Sequence, residues 1–422
     1  MSPENKPRIA VVTQAPFPVG NVSTLRYTSY LKSLSKNGAF TYVLIYCPTR
    51  MAAHIKQRSG ITEDGIKFQY ATDITWRKYT FLNKVIYLIK GLYNSIGNLR
   101  REKISTLILY GDNPFAINLF YWIFCKCCRV RFIGDRSELP TEKERNSKVK
   151  LFFYGVKQRM FDGMIIMTNS LLKFYSQYSK KEDFLFFLPM TIDPDRFEGI
   201  SKDCSVKPYI AVVFGTHNRD GLLESLKSYD LYCEKGGTYD LDLIGDYQNM
   251  PNKNELDLYL TNSKYRNRIK ILGLQSNDNV PKLLYNASIL LTTPNHYVSG
   301  GFPTKLGEYM LSGVPIVATM AGELLDYVTP EEDMLMSGPQ DYDAISDNLL
   351  RLETNKSLAY HLSYNARQKT LKSFCADSYV DNLMRFLSNN QDNSLDINPL
   401  AGGVVKNLYS PIKVQEGLCL CA

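Results

Sequence analysis

Apolar residues along this chain fall into short runs that alternate with stretches of helical spacing. Ile9–Thr13 (IAVVT) is a run of strand length, followed by the loop Gln14–Asn21 (QAPFPVGN). Leu25, Tyr30, Leu31 and Leu34 then recur at the spacing of one helix face, which predicts a helix over Ser23–Leu34. Further strands are expected at Tyr42–Tyr46, Thr106–Tyr110, Val130–Gly134 and Met164–Thr168, several ending on polar loops such as Gly111-Asp112-Asn113 and Asp135-Arg136-Ser137-Glu138. Alternation of strand, loop and helix implies a parallel sheet with helices on both faces. Such sheets bind ligands at the carboxyl ends of their strands.

A second series begins near Pro208. Strands are predicted at Tyr209–Phe214, Tyr239–Ile244, Arg268–Leu272 and Ile289–Thr292, with helices at Leu222–Cys233, Val280–Asn286, Ile345–Leu352 and Lys356–Phe374. The linker is expected within Asp193–Pro208. The pattern therefore predicts two doubly wound α/β domains, Rossmann-like, whose facing strand ends enclose a central cleft. The expected boundaries are 1–200, 201–375, a closing helix at 376–388, and a disordered or loosely attached tail at 389–422.

The most informative stretch is Ser299–Val328, SGGFPTKLGEYMLSGVPIVATMAGELLDYV. Gly300 and Gly301 allow backbone to approach a ligand closely. Pro303 suits a first helical turn, with Thr304 and Lys305 following at the helix N-terminus, where amides and dipole favour an anion such as phosphate. Glu308 lies one turn beyond Thr304 on the same face, placed to accept hydrogen bonds from sugar hydroxyls. A helix-surface role for Glu308, paired with Lys305 or Ser312, is the alternative. Gly313 and Pro315 end the helix before a buried strand. The arrangement predicts a nucleotide-sugar site.

Composition adds a charge asymmetry. The chain has 422 residues, 50 Lys+Arg and 42 Asp+Glu, for a formal net charge of +8. Residues 1–200 hold 30 basic and 16 acidic residues (+14), which leaves 20 basic and 26 acidic (−6) in the remainder. A basic first half suits an anionic partner such as a membrane surface or a phosphorylated acceptor; a solvated basic surface is the duller alternative. Nucleic acid is not expected, since no recognised module accompanies the charge. The apolar runs Val85–Ile89 and Pro114–Cys125 are shorter than the ~20 residues a membrane span needs and are expected to be core helices. The second is aromatic enough to touch a membrane surface. Glu142–Lys157 reads as a solvated, charged or amphipathic helix. The N-terminus lacks the apolar core of a signal peptide, and the nine cysteines imply reduced thiols in a cytoplasm. Cys125, Cys127 and Cys128 read as core residues, and no metal site is expected.

Taken in order, several motifs make the chain resemble the retaining GT-B glycosyltransferases known as glycosyl transferases group 1. They are Pro18–Gly20, Arg159–Ser170, Leu188–Phe197, Phe214-Gly215 with Arg219–Gly221, Leu243–Asp246, Ile271–Gly273 and the glycine–helix stretch. The resemblance spans most of residues 8–387. It implies a nucleotide-diphosphate sugar as donor substrate, held mainly by the second domain, a glycan or lipid-linked acceptor held by the first, and no other cofactor. Under it, Glu308 would bind the ribose hydroxyls. Gly300, Gly301, Phe302, Pro303, Thr304 and Gly20 would face the diphosphate or sugar, with Gly215 on a neighbouring loop. Gly273 and Leu274 would meet the base, and Arg219 or Lys305 would neutralise the diphosphate.

Two departures stand out. Gly300 occupies the place of a usual glutamate, and Asp220-Gly221 replaces a usual Lys-Gly. The catalytic base is unassigned, with Asp112, Asp135 and Glu138 as candidates, the last two also readable as helix N-caps. The expected function is metal-independent hexosyl transfer with retention, in surface polysaccharide or glycoconjugate synthesis. The expected location is the cytoplasm, including the inner face of the plasma membrane. The alternatives are a degenerate GT-B protein that binds without turnover, and a GT-B epimerase.

Overall fold

The computed structural model describes residues 7–49, 55–77, 80–140, 146–179, 184–215, 220–295 and 304–388. The predicted tail at 389–422 lies outside the described residues. The first sheet is built from β1 (Arg8–Thr13), β2 (Phe40–Ile45), β3 (Ser59–Ile61), β4 (Lys67–Tyr70), β5 (Thr106–Tyr110), β6 (Arg131–Arg136), β7 (Gly163–Ile166) and β8 (Leu185–Phe187). Its order is β3-β4-β2-β1-β5-β6-β7-β8, parallel except for the edge pair β3–β4. The connecting helices are α1 (Val22–Lys36), α2 (Phe81–Arg101), α3 (Phe115–Cys128), α4 (Lys148–Gln158) and α5 (Asn169–Ser176). Crossovers of this length are what parallel pairing demands.

The second sheet contains β9 (Tyr209–Val213), β10 (Asp240–Ile244), β11 (Ile269–Gly273), β12 (Ile289–Thr292), β13 (Ile316–Thr319) and β14 (Leu335–Ser337), in the order β11-β10-β9-β12-β13-β14. Its helices are α6 (Leu222–Glu234), α7 (Lys253–Asn262), α8 (Val280–Asn286), α9 (Thr304–Ser312), α10 (Tyr342–Thr354) and α11 (Lys356–Ser373). The chain then returns to the first domain through α12 (Val380–Ser388), whose Phe386 stacks on Phe186 with ring centroids 5.1 Å apart. Two Rossmann-like domains facing a cleft are thus present, as the apolar pattern predicted.

Both sheets reverse direction once. The switch falls between β1 and β5 in the first and between β9 and β12 in the second. Crevices open at such points because neighbouring connections leave on opposite faces. Between the domains, Met190, Ile192 and Phe197 of the linker are buried and join the apolar cores of the two sides. The chain is packed as it enters the linker, while residues 201–208 are exposed, and Ile192 bridges to Cys375 beside the returning helix.

Two apolar runs behave differently from expectation. Val85–Ile89 falls in α2, yet Ile86 and Ile89 are exposed. In the second run, Ile117, Tyr121, Phe124 and Cys125 are buried on α3 while Phe115 and Ile123 are exposed. The helix expected at Glu142–Lys157 is observed from Lys148, and it is not merely solvated: Tyr154, Lys157 and Gln158 are buried.

Candidate functional site

Helix α9 stands at the switch point of the second sheet. Its apolar residues Leu306, Tyr309, Met310 and Leu311 are buried, as the spacing of that segment requires. The Tyr309 hydroxyl accepts the Val213 amide at 2.7 Å and donates to the Leu291 carbonyl at 3.4 Å. One phenol thereby ties the helix to the ends of β9 and β12. Gly313 adopts φ +70, the left-handed conformation that stops a helix, immediately before the Pro315 strand entry.

Glycine at position 307 sets how closely α9 meets the linker. A Cβ built there would lie 1.8 Å from Ile192 Cδ1. A larger residue would require the Ile192 side chain to move. The next residue, Glu308, consequently faces Arg196 of the linker's single-turn helix Pro194–Phe197, with Oε1 2.8 Å from Nη2. The two side chains keep 18% and 16% of their surface exposed. Arg196 Nη2 also donates to the Asn277 carbonyl at 3.1 Å, and Asn277 Nδ2 donates to the Gly20 carbonyl at 3.4 Å. A continuous polar path therefore runs from α9 through the linker to the loop after β1. Gly20 is obligatory in that loop, since a Cβ would meet Thr24 Oγ1 at 2.1 Å and the Pro16 carbonyl at 2.4 Å.

The Glu308 carboxyl is pushed above the usual carboxylate range by burial, and Arg196 offsets part of that rise. The ion pair is close, and a carboxylate has acceptor sites beyond the one that Arg196 meets. A buried carboxylate oxygen with open acceptor capacity is costly unless another donor completes it. Neither Lys305 nor Ser312 is the partner. Lys305 instead pairs with Asp220 at 2.8 Å, and the Ser312 hydroxyl donates to the Tyr309 carbonyl at 2.6 Å.

The Asp220–Lys305 pair accounts for the unusual Asp-Gly sequence. Asp220 Oδ2 also accepts the Gly215 amide at 2.5 Å. Gly221 has φ +70, and a Cβ there would lie 1.7 Å from the Thr293 carbonyl oxygen. The positive charge of Lys305 on α9 is thus matched by a carboxylate from the neighbouring loop. Gly273 closes β11 with φ +71 and open space around it, and Leu274 beyond it is exposed. Arg219 and Gly300, Gly301, Phe302 and Pro303 lie outside the described residues, as does the side chain of Thr304. His217 and His296 fall in the same two segments.

The three acid–base candidates separate clearly. Asp135 lies within β6, fully buried, 3.6 Å from Arg26 and accepting from the Tyr30 hydroxyl at 3.1 Å. It belongs to the core and caps no helix. Glu138 is in the following loop and exposed, and among the described residues its backbone carbonyl is engaged by the Tyr175 hydroxyl at 3.4 Å. Asp112 follows β5 at the first sheet's switch point, partly exposed and paired with Lys157, which also donates to the Asn113 carbonyl at 3.1 Å. Among the described residues no group of three His, Cys, Asp or Glu side chains is arranged to hold a metal ion.

Sequence reasoning missed three polar contributors. Arg196 stood inside a quoted motif, but its role depends on Glu308, far along the chain. Asn277 had no signal beyond its place in a loop after a strand. Glu323 accepts the Ser170 amide at 3.1 Å, so a second-domain carboxylate completes the N-terminus of the first-domain helix α5.

Against known proteins, residues 201–369 match the family described as Glycosyl transferases group 1. A 155-residue segment is 26% identical to the 2-deoxystreptamine N-acetyl-D-glucosaminyltransferase of Niallia circulans, covering 36% of this chain and 39% of that enzyme's length. Sucrose-phosphate synthase from Thermosynechococcus elongatus superposes with a TM-score of 0.67 at 13% identity, over 89% of this chain and 97% of its own. Anabaena HepE in complex with UDP gives 0.67 at 13% identity, over 90% and 100%. The catalytic domain of Arabidopsis thaliana starch synthase IV, bound to ADP and acarbose, gives 0.67 at 10% identity, over 91% and 99%. The fold of this chain is that of the GT-B glycosyltransferases, and within it residues 201–369 are similar in sequence to glycosyl transferases group 1.

Proposed function

We propose that this protein moves a hexose from a nucleotide-diphosphate sugar to a glycan or lipid-linked acceptor, with retention of anomeric configuration and without a metal ion. The carrying observation is Glu308: a carboxylate on the switch-point helix, paired with Arg196 at 2.8 Å and still 18% exposed. Vicinal ribose hydroxyls are the donors that fit a carboxylate there, since two O–H groups can share its oxygens. The exposed Leu274 offers an apolar surface for the base at the end of β11. The glycine segment before α9 would carry the diphosphate against the helix N-terminus.

Charge at the leaving group would come from helix amides and Arg219 more than from Lys305, because Asp220 already compensates that lysine. Asp112, partly exposed at the opposite switch point, is the first-domain carboxylate placed to meet an acceptor hydroxyl. Known proteins of the same fold support the donor class: HepE has been captured with UDP, with UDP and glucose, and with UDP-glucose. The Niallia circulans relative, by its name, transfers N-acetyl-D-glucosamine to an aminocyclitol.

The test is donor-dependent release of nucleotide diphosphate, measured with a panel of UDP-, GDP- and ADP-sugars and lipid-extract or glycan acceptors. Acceptor-stimulated release with one donor is the expected result. Tight nucleotide binding with no release from any donor would instead establish a protein that binds without turnover, the reading that the matched Asp220–Lys305 pair favours.

A further inference from the structure

Helix α2 is apolar on the side that should face water. Gly91 fixes its position: a Cβ there would lie 1.7 Å from the carbonyl oxygen of Tyr46, just beyond the end of β2. Asn94 Nδ2 donates to the Ala71 carbonyl beyond β4 at 2.8 Å. The helix therefore crosses the carboxyl edge of the first sheet near Gly91, and its residues 81–90 project past that edge. Along the outward face of α2, Leu82, Ile86, Ile89 and Tyr93 are all exposed. Their spacing of four, three and four places them in one stripe. No other described element covers it.

The stripe is not isolated. On the same face of the sheet, α3 touches α2 through Tyr121 and Ser95, whose hydroxyls are 3.1 Å apart, and α4 packs beside α3. Helix α4 exposes Phe152 and Phe153, and its Lys157 reaches Asp112 at the carboxyl end of β5, so it too lies along that edge. The sequences of α2, α3 and α4 contain Lys84, Lys90, Arg100, Arg101, Lys126, Lys148, Lys150 and Lys157 and not one Asp or Glu. Lys148 and Lys150 of α4 are exposed one helical turn before Phe152 and Phe153, whereas Lys90, Lys126 and Lys157 are paired with Asp73, Asp162 and Asp112 of neighbouring segments.

We infer that the outward face of α2 and α4 docks on an anionic lipid bilayer, with the apolar side chains entering the headgroup boundary and the lysines meeting lipid phosphates. Apolar insertion and cationic attraction together are what hold a protein in the plane of a membrane without crossing it. Among the described residues no helix is long and apolar enough to cross one. Charge decides against a second copy of the chain as the occupant. A symmetric contact would set the exposed Lys148 and Lys150 of one copy against those of the other, with no acidic residue on α2 or α4 to meet them. The inference does not depend on the transferase reading, although it would bring the acceptor side of the cleft close to lipid.

Co-sedimentation with vesicles tests it. Wild-type protein should pellet with vesicles of phosphatidylcholine mixed with phosphatidylglycerol, pellet poorly with phosphatidylcholine alone, and be partly released by salt. The double substitution Ile86→Glu, Ile89→Glu should lower partitioning by about tenfold or more at unchanged melting temperature, and Phe152→Ser with Phe153→Ser should lower it as well. Nucleotide affinity should not change in either variant, which keeps this outcome separate from any failure of the donor site. Absence of pelleting with the anionic vesicles would overturn the inference, as would equal pelleting of the variants. A wild-type dimer in light scattering, made monomeric by the α2 substitutions, would assign the face to self-contact and overturn it too.

Discussion

Asp135 and Glu308 are both carboxylates taken out of water and set beside an arginine, and both are pushed above the usual carboxylate range chiefly by burial. Their surroundings differ in what can still reach them. Asp135 and Arg26 expose 0% and 1% of their side chains, and Arg26 is further spent on the Pro189 and Leu188 carbonyls at 2.7 and 3.0 Å. That pair locks α1 to the start of the linker. Glu308 and Arg196 sit closer together, at 2.8 Å against 3.6 Å, yet retain access from the cleft. The pair sealed from solvent suits a structural role; the pair that keeps 16–18% of its surface exposed is the one a ligand could reach. Burial and an arginine partner alone would not have told these roles apart.

The largest effect should come from breaking the closed pair. Arg26→Met leaves Asp135 buried without its cation and is expected to lower unfolding stability by about 3–5 kcal/mol, read by denaturant titration. Any molecules that remain folded should bind nucleotide normally. Glu308→Ala reverses the pattern. It should weaken nucleotide diphosphate by about ten- to a hundredfold, consistent with losing charge-assisted hydrogen bonds of about 1.5–3 kcal/mol, while changing stability little. Calorimetric titration together with thermal unfolding separates the two outcomes.

A smaller and more specific effect is expected from Arg196→Met. Because burial raises the Glu308 pKa above 4.5 and Arg196 counters it, removing the arginine should raise that pKa further. The ionised carboxylate is the better acceptor, so affinity should decline as pH falls through the raised value, and the decline should begin at higher pH in the variant. The stability linkage has the opposite sense: the protonated form is favoured in the folded state, so stability from this group is present at low pH and lost as pH rises through the folded pKa. A merely structural Arg196 would leave the pH midpoint of binding unmoved. The smallest effect belongs to Asp220→Asn. Releasing Lys305 from its carboxylate should strengthen diphosphate binding by about two- to threefold, since a half-exposed pair of this kind is worth only ~0–1 kcal/mol.

Much of this architecture was readable from apolar runs. Strands β1, β2, β5, β6, β7 and β9 through β13 each present a compact apolar segment, and the paired sheets follow from their alternation with helices. The edge strand β3 and its neighbour β4 were not readable, because SGI is three residues long and mostly exposed, and KFQY buries only Phe68 and Tyr70. Val85–Ile89 misled for a physical reason. Composition alone makes it core-like, but Gly91 must touch the Tyr46 carbonyl, and that rotation turns Ile86 and Ile89 outward. At the candidate site, Glu308 was singled out from its offset within the glycine–helix stretch, and the structure puts it beside Arg196. Arg196, Asn277 and Glu323 were not, because each acts through a contact between segments distant in sequence. Asp220 was visible as a departure, but its meaning required seeing Lys305 across from it.

The central claim is that Glu308 is a ribose-binding carboxylate. The most direct test compares the ribose and 2′-deoxyribose forms of the nucleoside diphosphate that binds, titrated calorimetrically into the wild type and into Glu308→Gln. The account predicts that the wild type prefers the ribose form by about tenfold or more and that Glu308→Gln loses most of that preference. Equal discrimination by both proteins, or none by the wild type, would contradict it.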